Sequence, residues 1–242
     1  MTFFYITLLV LVLLIFWRRS QFLAVIARMK YQSGQTEKTL KLFRIANNIG
    51  QLDAEDMMYY GYVLLRSGEL SASREVLTRA SLNAKKDATK KRIKSMLSLV
   101  AWKEGDLDSA IEMMESVVSD FKNTNTYQNL GLMYIIKGDA ERALKFNLEA
   151  YDYNSDDLVI LDNLAESYAI SGDISKAKEI YEELLKKNPH FPEPYYSYGL
   201  ILISEGEREK GIKLIRESLS KRFSFLSIKS KEEVEKLLLE NE

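Results

Sequence analysis

The chain offers few side chains that could support catalysis or metal binding. Its single histidine, His190, lies in a turn between two prolines, and the 242 residues include no cysteine. A metal site needs several ligands at set spacing, and thiolate chemistry needs cysteine. We therefore predict no catalytic residue, no metal site, no cofactor and no enzymatic activity.

Three acidic pairs are the remaining candidates for general acid and base chemistry, which often uses two carboxylates. They are Asp156–Asp157, Glu182–Glu183 and Glu232–Glu233. The first pair precedes an apolar helix pattern, where an aspartate typically caps the helix. The other two lie on predicted solvated faces. A carboxylate pair brought together only by the fold is the open alternative.

The helices that carry these side chains are marked by glycines at intervals of 34, 37, 33, 34 and 34 residues. These glycines are Gly34, Gly68, Gly105, Gly138, Gly172 and Gly206. Glycine ends helices because it adopts a left-handed conformation without steric penalty. An aspartate that can cap the next helix follows the third, fourth and fifth of them. A recurring interval of this size predicts stacked copies of one helical hairpin.

The residues around these glycines resemble the tetratricopeptide repeat (TPR) family, whose pattern is aromatic-x2-Leu-Gly-x2-Tyr, then Ala-x3-Phe and Pro. One copy places Tyr127, Leu130, Gly131 and Tyr134 in the first part of that pattern. The resemblance implies an all-α fold, a right-handed α-solenoid of about six TPR-like helical hairpins. It also implies that the first helix of each hairpin lines a concave face.

A small residue recurs where the two helices of each hairpin should approach closely, since interiors are tightly packed. These positions are Ala27, Gly61, Ser98, Gly131, Ala165 and Gly199. The family pattern is broken at Asn147, which takes an aromatic position in the fourth copy. The interval from Gly68 to Gly105 carries three extra residues, which predicts a longer loop or an extended helix.

Residues 1–17 contain no charged side chain. A helix of this length extends about 25 Å, at the short end of what crosses a bilayer. We interpret the segment as a transmembrane anchor, with Trp17, Arg18 and Arg19 at the membrane interface. A signal peptide is disfavoured because no basic residue precedes the apolar run and no small-residue cleavage site follows it. A buried core helix is disfavoured because a solenoid cannot cover such a helix on all sides.

The basic residues after this segment set its predicted orientation. Arg18, Arg19, Arg28 and Lys30 precede the first acid, Glu37. The positive-inside rule then predicts a single-pass membrane protein whose N-terminus is outside and whose repeats are cytoplasmic. The inverted topology would make the repeats an extracytoplasmic module.

These features divide the chain into an anchor (1–19), a solenoid (20–225) and a C-terminal capping helix (226–242). The predicted repeats are 20–53, 54–90, 91–123, 124–157, 158–191 and 192–225. Val234, Leu237 and Leu238 lie on one helical face and are expected to cover the last repeat. A partner-binding tail is the alternative for this helix.

First-helix positions that the motif does not place in the core are candidates for a partner-binding groove. They are Met58, Tyr59, Tyr62, Leu65, Trp102, Leu132, Ile135, Ile136, Tyr196, Leu200 and Ile203. Exposed aromatic and apolar clusters usually mark interaction sites, so we predict a partner with an apolar or amphipathic segment. The alternative is that about half of them pack between repeats or under the C-terminal helix.

Some TPR proteins hold a C-terminal carboxylate with lysines and asparagines on this face. Many of the comparable positions in this sequence are occupied by other residue types, namely Ala24, Arg28, Met58, Gln128 and Asp162. The resemblance therefore does not extend to a carboxylate receptor.

A basic run lies in the longer interval between Gly68 and Gly105 and comprises Lys85, Lys86, Lys90, Lys91, Arg92 and Lys94. A solvated helix end is the expected role of such a run, and contact with anionic lipid is the alternative. The net charge of −1 gives no global attraction to nucleic acid.

We therefore predict a membrane-anchored TPR scaffold that binds other proteins at the cytoplasmic face, contacts the bilayer through residues 1–17 and binds no nucleic acid. A structural subunit of a larger membrane-embedded machine and an extracytoplasmic TPR module are the alternatives. The sequence determines neither the partner nor the oligomeric state.

Overall fold

The computed structural model describes residues 4–5 and 18–241. Residues 18–241 form thirteen α-helices and no strand. The helices are α1 (Arg19–Gln32), α2 (Thr36–Ile49), α3 (Ala54–Arg66), α4 (Leu70–Asn83), α5 (Asp87–Lys103), α6 (Leu107–Val118), α7 (Thr124–Lys137), α8 (Ala140–Tyr153), α9 (Leu158–Ile170), α10 (Ile174–Lys186), α11 (Glu193–Ser204), α12 (Arg208–Ser218) and α13 (Lys231–Asn241). The all-α prediction is confirmed for this part of the chain.

The chain divides into two compact units, Met1–Val100 and Ala101–Glu242. The division falls within α5, which has 17 residues where the other helices have 11 to 14. The three extra residues after Gly68 are thus accommodated by an extended helix.

The first unit contains the hairpins α1–α2 and α3–α4, in which each helix packs against its partner. The small residue Gly61 is buried in α3, and a Cβ there would lie 2.5 Å from Cγ of Leu77 in α4. A larger residue at this position would push the two helices apart. Between the hairpins, the rings of Phe43 and Tyr60 stack with centroids 5.3 Å apart.

The second unit contains the hairpins α7–α8, α9–α10 and α11–α12, while α6 packs on α7 and α13 packs on α12. The helices α11 and α12 approach closely because glycines face each other across the hairpin. A Cβ on Gly199 would lie 2.8 Å from the carbonyl oxygen of Gly211. Within each unit, stacked helical hairpins therefore form a helical solenoid.

The six recurring glycines end the first helices as predicted, since all of them have positive φ. Gly138, for example, is the left-handed C-cap of α7 with φ 75°. The aspartates that follow start the next helix. Asp106, Asp139 and Asp173 each accept a hydrogen bond from the backbone N–H three residues later, at 3.1, 3.1 and 3.2 Å.

Asn147 links three helices where the family pattern has an aromatic residue. Its buried Nδ2 donates to Ser167 Oγ at 2.8 Å and to the carbonyl oxygen of Gly131 at 3.4 Å. The side chain thus joins α8 to both α7 and α9. A polar connection between repeats replaces apolar packing at this point.

No helix in the described part of the chain has the length and hydropathy needed to cross a bilayer. Of the predicted anchor, residues 1–17, only Phe4 and Tyr5 belong to the described residues, so the interface residue Trp17 lies outside them. Arg18 and Arg19 are exposed at the start of α1, where Arg19 Nη2 donates to the carbonyl oxygen of Ile49 at 3.4 Å. The anchor stays a prediction.

Candidate partner-binding site

The first helices of neighbouring hairpins touch one another within each unit. In the first unit α1 contacts α3, and in the second unit α7 contacts α9 and α9 contacts α11. We call the surface formed by these helices the first-helix face of each unit. The residues predicted to bind a partner lie on these helices and on α5.

The structure separates the predicted groove residues of the first unit into two groups. Met58 and Leu65 are fully buried, so their side chains are not available to a partner. Tyr59 and Tyr62 are only partly buried. The prediction is therefore corrected for the first pair, because burial by neighbouring helices cannot be read from helical periodicity.

Tyr59 lines a pocket of about 280 Å³ in the first unit. The other lining residues are Val25, Arg28, Met29, Tyr31, Gln32, Phe43 and Val63. The guanidinium of Arg28 lies 5.4 Å from the Tyr59 ring centroid, and its Nη1 is 3.4 Å from Asp56 Oδ1. Tyr62 packs edge-to-face on Tyr31, with centroids 6.1 Å apart. These contacts hold the aromatic side chains in place around the pocket.

An apolar stripe continues from this pocket along α1. Phe22, Val25 and Met29 lie at helical spacing and are exposed. Motif matching did not identify them, because the first copy of the repeat is weak. The signal in the sequence was their spacing of three and four residues.

In the second unit, Trp102, Leu132, Ile135 and Ile136 are partly exposed. They remain candidates for partner contact.

Three other predicted residues, Tyr196, Leu200 and Ile203, belong to an apolar cluster with Val234 and Leu238 of α13. The C-terminal helix covers them, and Tyr196 is buried. The prediction of an open groove is corrected at these three positions, because helical periodicity does not show that another helix covers them.

Acidic side chains accompany this cluster on α9 and α11. Burial, followed by the charges of Glu193 and Glu166, raises the pKa of Asp162 well above its usual range. Burial also raises the pKa of Glu193. Glu166 accepts a hydrogen bond from Tyr181 Oη at 2.7 Å. The resulting group of carboxylates favours a positively charged neighbour.

Lys103, the last residue of α5, carries such a charge. Its Nζ lies 4.2 Å from the ring centroid of Trp102 and donates to the carbonyl oxygen of Ser227 at 2.9 Å. Burial lowers the pKa of Lys103, while Glu193 and Glu233 act in the opposite direction. The sequence analysis did not select Lys103 as a candidate, although it directly follows Trp102, a predicted groove residue.

The basic run lies between α4 and α5 and in the first turns of α5. Lys85, Lys86, Lys90, Arg92 and Lys94 are exposed. A sixth residue, Lys91, pairs with Asp87 through Nζ at 2.7 Å. This placement is that of a solvated helix start, and contact with anionic lipid remains the untested alternative.

No metal-binding group of three or more histidine, cysteine or acidic side chains occurs in residues that the structure describes. His190 is exposed in the turn before α11, where its carbonyl oxygen accepts from Arg222 N at 2.9 Å. Asp157 caps α9 by accepting from the N–H groups of Val159 and Ile160, each at 3.0 Å. Asp157 therefore has a structural role as a helix cap, and His190 contributes to the fold through its backbone carbonyl.

Comparison with known proteins identifies TPR repeats in the second unit. Tetratricopeptide repeat models match residues 124–157 and 161–190. A TPR repeat-containing protein of Methanocaldococcus jannaschii is 32% identical over 92 residues, which are 38% of this chain and 16% of that protein. The chain thus spans a small part of that relative's length.

Two solved structures show a similar fold. A thermophilic TPR protein of Thermus thermophilus aligns with a TM-score of 0.64 at 17% identity, covering 78% of this chain and 98% of that one. The pilF protein of Pseudomonas aeruginosa aligns with a TM-score of 0.63 at 13% identity, covering 82% and 89%. The chain therefore contains TPR repeats, and proteins built from such repeats generally act as protein-interaction scaffolds.

Proposed function

We propose that this protein is a membrane-anchored TPR scaffold that binds an apolar or amphipathic segment of other proteins at the cytoplasmic face. The observation that carries the proposal is the pocket beside Tyr59, which opens next to the exposed apolar stripe on α1. Contiguous exposed apolar surface of this kind usually marks an interaction site.

The pocket has the features of an energetic anchor point. Tyrosine is enriched among the residues that contribute most to binding, and Tyr59 and Tyr62 are both held by neighbours, Arg28 and Tyr31. Preorganised side chains lose less entropy on binding. The exposed residues Phe22 and Met29 extend the apolar surface for an amphipathic helix.

The membrane part of the proposal rests on the sequence of residues 1–17 and on the arginines that follow. A tether would confine the repeats near the membrane and raise their effective concentration for membrane-associated partners. The alternative of a structural subunit in a membrane-embedded machine would require one fixed stoichiometric partner.

A photo-crosslinking experiment tests the binding site. Benzoylphenylalanine placed at Tyr62 in the full-length chain should give a discrete adduct with a partner protein in native membranes, and Tyr59→Ala should reduce it. The matched control is the same probe at Thr78, which is exposed on the second helix α4. Equal adducts at both positions would show that the pocket is not the binding site.

Topology is tested with single cysteines, because the chain has none of its own. Ser71→Cys and Ser204→Cys place thiols at exposed positions. An impermeant thiol reagent should label them only after the cells are permeabilised. Labelling in intact cells would contradict the cytoplasmic assignment.

A further inference from the structure

The loop between α12 and α13 reaches a residue 124 positions earlier in the chain. Lys103 Nζ donates to the carbonyl oxygen of Ser227 at 2.9 Å and lies 5.5 Å from the ring centroid of Phe225. We call residues 224–228 the strap. Its contacts with Lys103 connect it to the last turn of α5.

A second contact holds the residue that follows Ser227. The N–H of Ile228 donates to Glu193 Oε1 at 3.3 Å, at the start of α11. Within the strap, Ser224 stabilises a tight turn, since its Oγ accepts from Leu226 N at 3.2 Å and its carbonyl oxygen accepts from Ser227 N at 3.0 Å. The strap is thus a compact turn held between a lysine and a glutamate.

The contacts with Lys103 and Glu193 are those that a protein makes with a bound peptide. A backbone carbonyl meets an ammonium group, a backbone N–H meets a carboxylate, and an aromatic ring lies beside a cation. The apolar side chains of the strap are only partly buried, since Phe225 and Ile228 remain 39% and 37% exposed. By contrast, Val234 in α13 is fully buried. The strap is therefore held by these polar contacts together with partial burial of its apolar side chains.

Charge complementarity indicates what such a peptide should contain. The segment 221–231 has Lys221, Arg222, Lys229 and Lys231 and no acid. It belongs to the unit that carries the carboxylates described above, of which Asp162 is itself buried. A basic segment would offset their mutual repulsion.

One polar group in this unit is not satisfied by the strap. The hydroxyl of Tyr196 is buried and has no hydrogen-bond partner in the described residues. Burial raises the pKa of Tyr196, and the charges of Glu193, Asp162 and Glu166 raise it further. An unpaired buried hydroxyl costs free energy, and this one is covered by α13.

We propose that the strap is an internal ligand of a site formed by the last turn of α5 and the start of α11, and that this site binds a basic, aromatic-containing segment of a partner protein after the strap is released. The inference rests on the proposed scaffold function and specifies the chemistry of a partner. Lys103 and Glu193 would then hold the backbone of the partner segment as they hold the strap.

The chain's own segment supplies the probe. A fluorescent peptide with the sequence of residues 221–230 is titrated into the full-length protein and its anisotropy is measured. Three strap changes, Ser224→Ala, Phe225→Ala and Ile228→Pro, remove the turn, the ring contact and the N–H donated to Glu193. We expect the peptide to bind this released variant at least tenfold more tightly than the wild type.

Two lysine variants distinguish specific binding of the peptide from nonspecific electrostatic attraction. In the released background, Lys103→Met should weaken peptide binding at least tenfold, whereas Lys213→Met, at an exposed position of α12, should leave it unchanged. Binding should also weaken with added salt because the peptide is basic. Equal peptide affinity for the wild type and the released variant, or no effect of Lys103→Met, would overturn the proposal.

Two controls show whether a change in peptide affinity reflects loss of the strap contacts or loss of folding. Phe225→Ala alone changes a partly exposed side chain and should give an intermediate affinity, so the test does not depend on the triple variant. Far-UV circular dichroism should be unchanged. If the peptide fails to bind the released variant while the crosslinked adduct at Tyr62 persists, the strap proposal fails and the scaffold proposal stands. If the peptide binds but no adduct forms at Tyr62, the partner site in the first unit is rejected.

Discussion

Replacing Gly199 by alanine tests the close approach of α11 to α12. The added Cβ would lie 2.8 Å from the carbonyl oxygen of Gly211 and 2.8 Å from Cγ1 of Ile215, where ordinary contacts begin at 3.4 Å. The carbonyl belongs to the backbone of α12 and cannot rotate away, and Ile215 is fully buried. The two helices must therefore separate.

Two opposing effects decide the magnitude. Alanine improves helix propensity over glycine by about 1 kcal/mol, whereas overpacking a tight interior costs about 1–3 kcal/mol. A backbone obstacle places Gly199→Ala in the upper part of that range, so we expect a net loss of about 1–2 kcal/mol in the free energy of unfolding.

The equivalent position in the preceding repeat provides an internal comparison. Ala165 is fully buried there, so Ala165→Gly should lose about 1 kcal/mol of helix propensity together with the packing of one methyl group. Opposite substitutions at equivalent positions should thus both destabilise. The residues packed opposite each position, and not the repeat motif, determine whether glycine or alanine is the more stable choice there.

The assay is urea unfolding followed by far-UV circular dichroism, with hydrogen exchange of the α11 and α12 amides because arrays of repeats can unfold in steps. Lys213→Ala, at an exposed position of α12, is the control and should change stability by less than about 0.5 kcal/mol. A Gly199→Ala protein that is more stable than the wild type by the full helix-propensity gain would refute the reasoning.

Two further predictions concern a buried acid and a helix cap. Burial and the charge of Asp53 raise the pKa of Asp56 from 3.8 to about 6, against the opposing charge of Arg28. The folded state therefore binds this proton more tightly, and up to about 3 kcal/mol of stability that is present below pH 4 should be lost as the pH rises through 6. Asp56→Asn should abolish that dependence in pH-dependent urea unfolding, and an unchanged profile would contradict the assignment. Asn123→Ala removes a capping box with Thr126 and should lower the unfolding free energy by about 1 kcal/mol, whereas Asn123→Asp should not.

The hairpin boundaries could be predicted because the signals are local. Gly138 ends α7 with positive φ, and the next residue, Asp139, caps α8 through the N–H of Arg142. Both features depend on residues a few positions apart. The close approach at Gly61 and Gly199 was equally visible, because a small residue recurs at the same place in the motif.

The candidate site could be predicted only in part. The first-helix positions Tyr59 and Tyr62 were identified and remain partly exposed, but Met58 and Leu65 are buried between helices. Helical periodicity shows which residues share a face; it does not show which neighbouring helix covers that face.

By itself the sequence determined the repeat period, the turn chemistry and the apolar character of residues 1–17, since these follow from residue types at short spacing. The sequence also predicted that a C-terminal helix covers the last repeat, but only the tertiary structure decided that Tyr196 lies beneath it and that Lys103 meets the strap 124 residues later. Contacts over such separations depend on how the hairpins stack, and no local pattern encodes them. The physical reason is that burial and electrostatic environment are set by every element packed around a side chain.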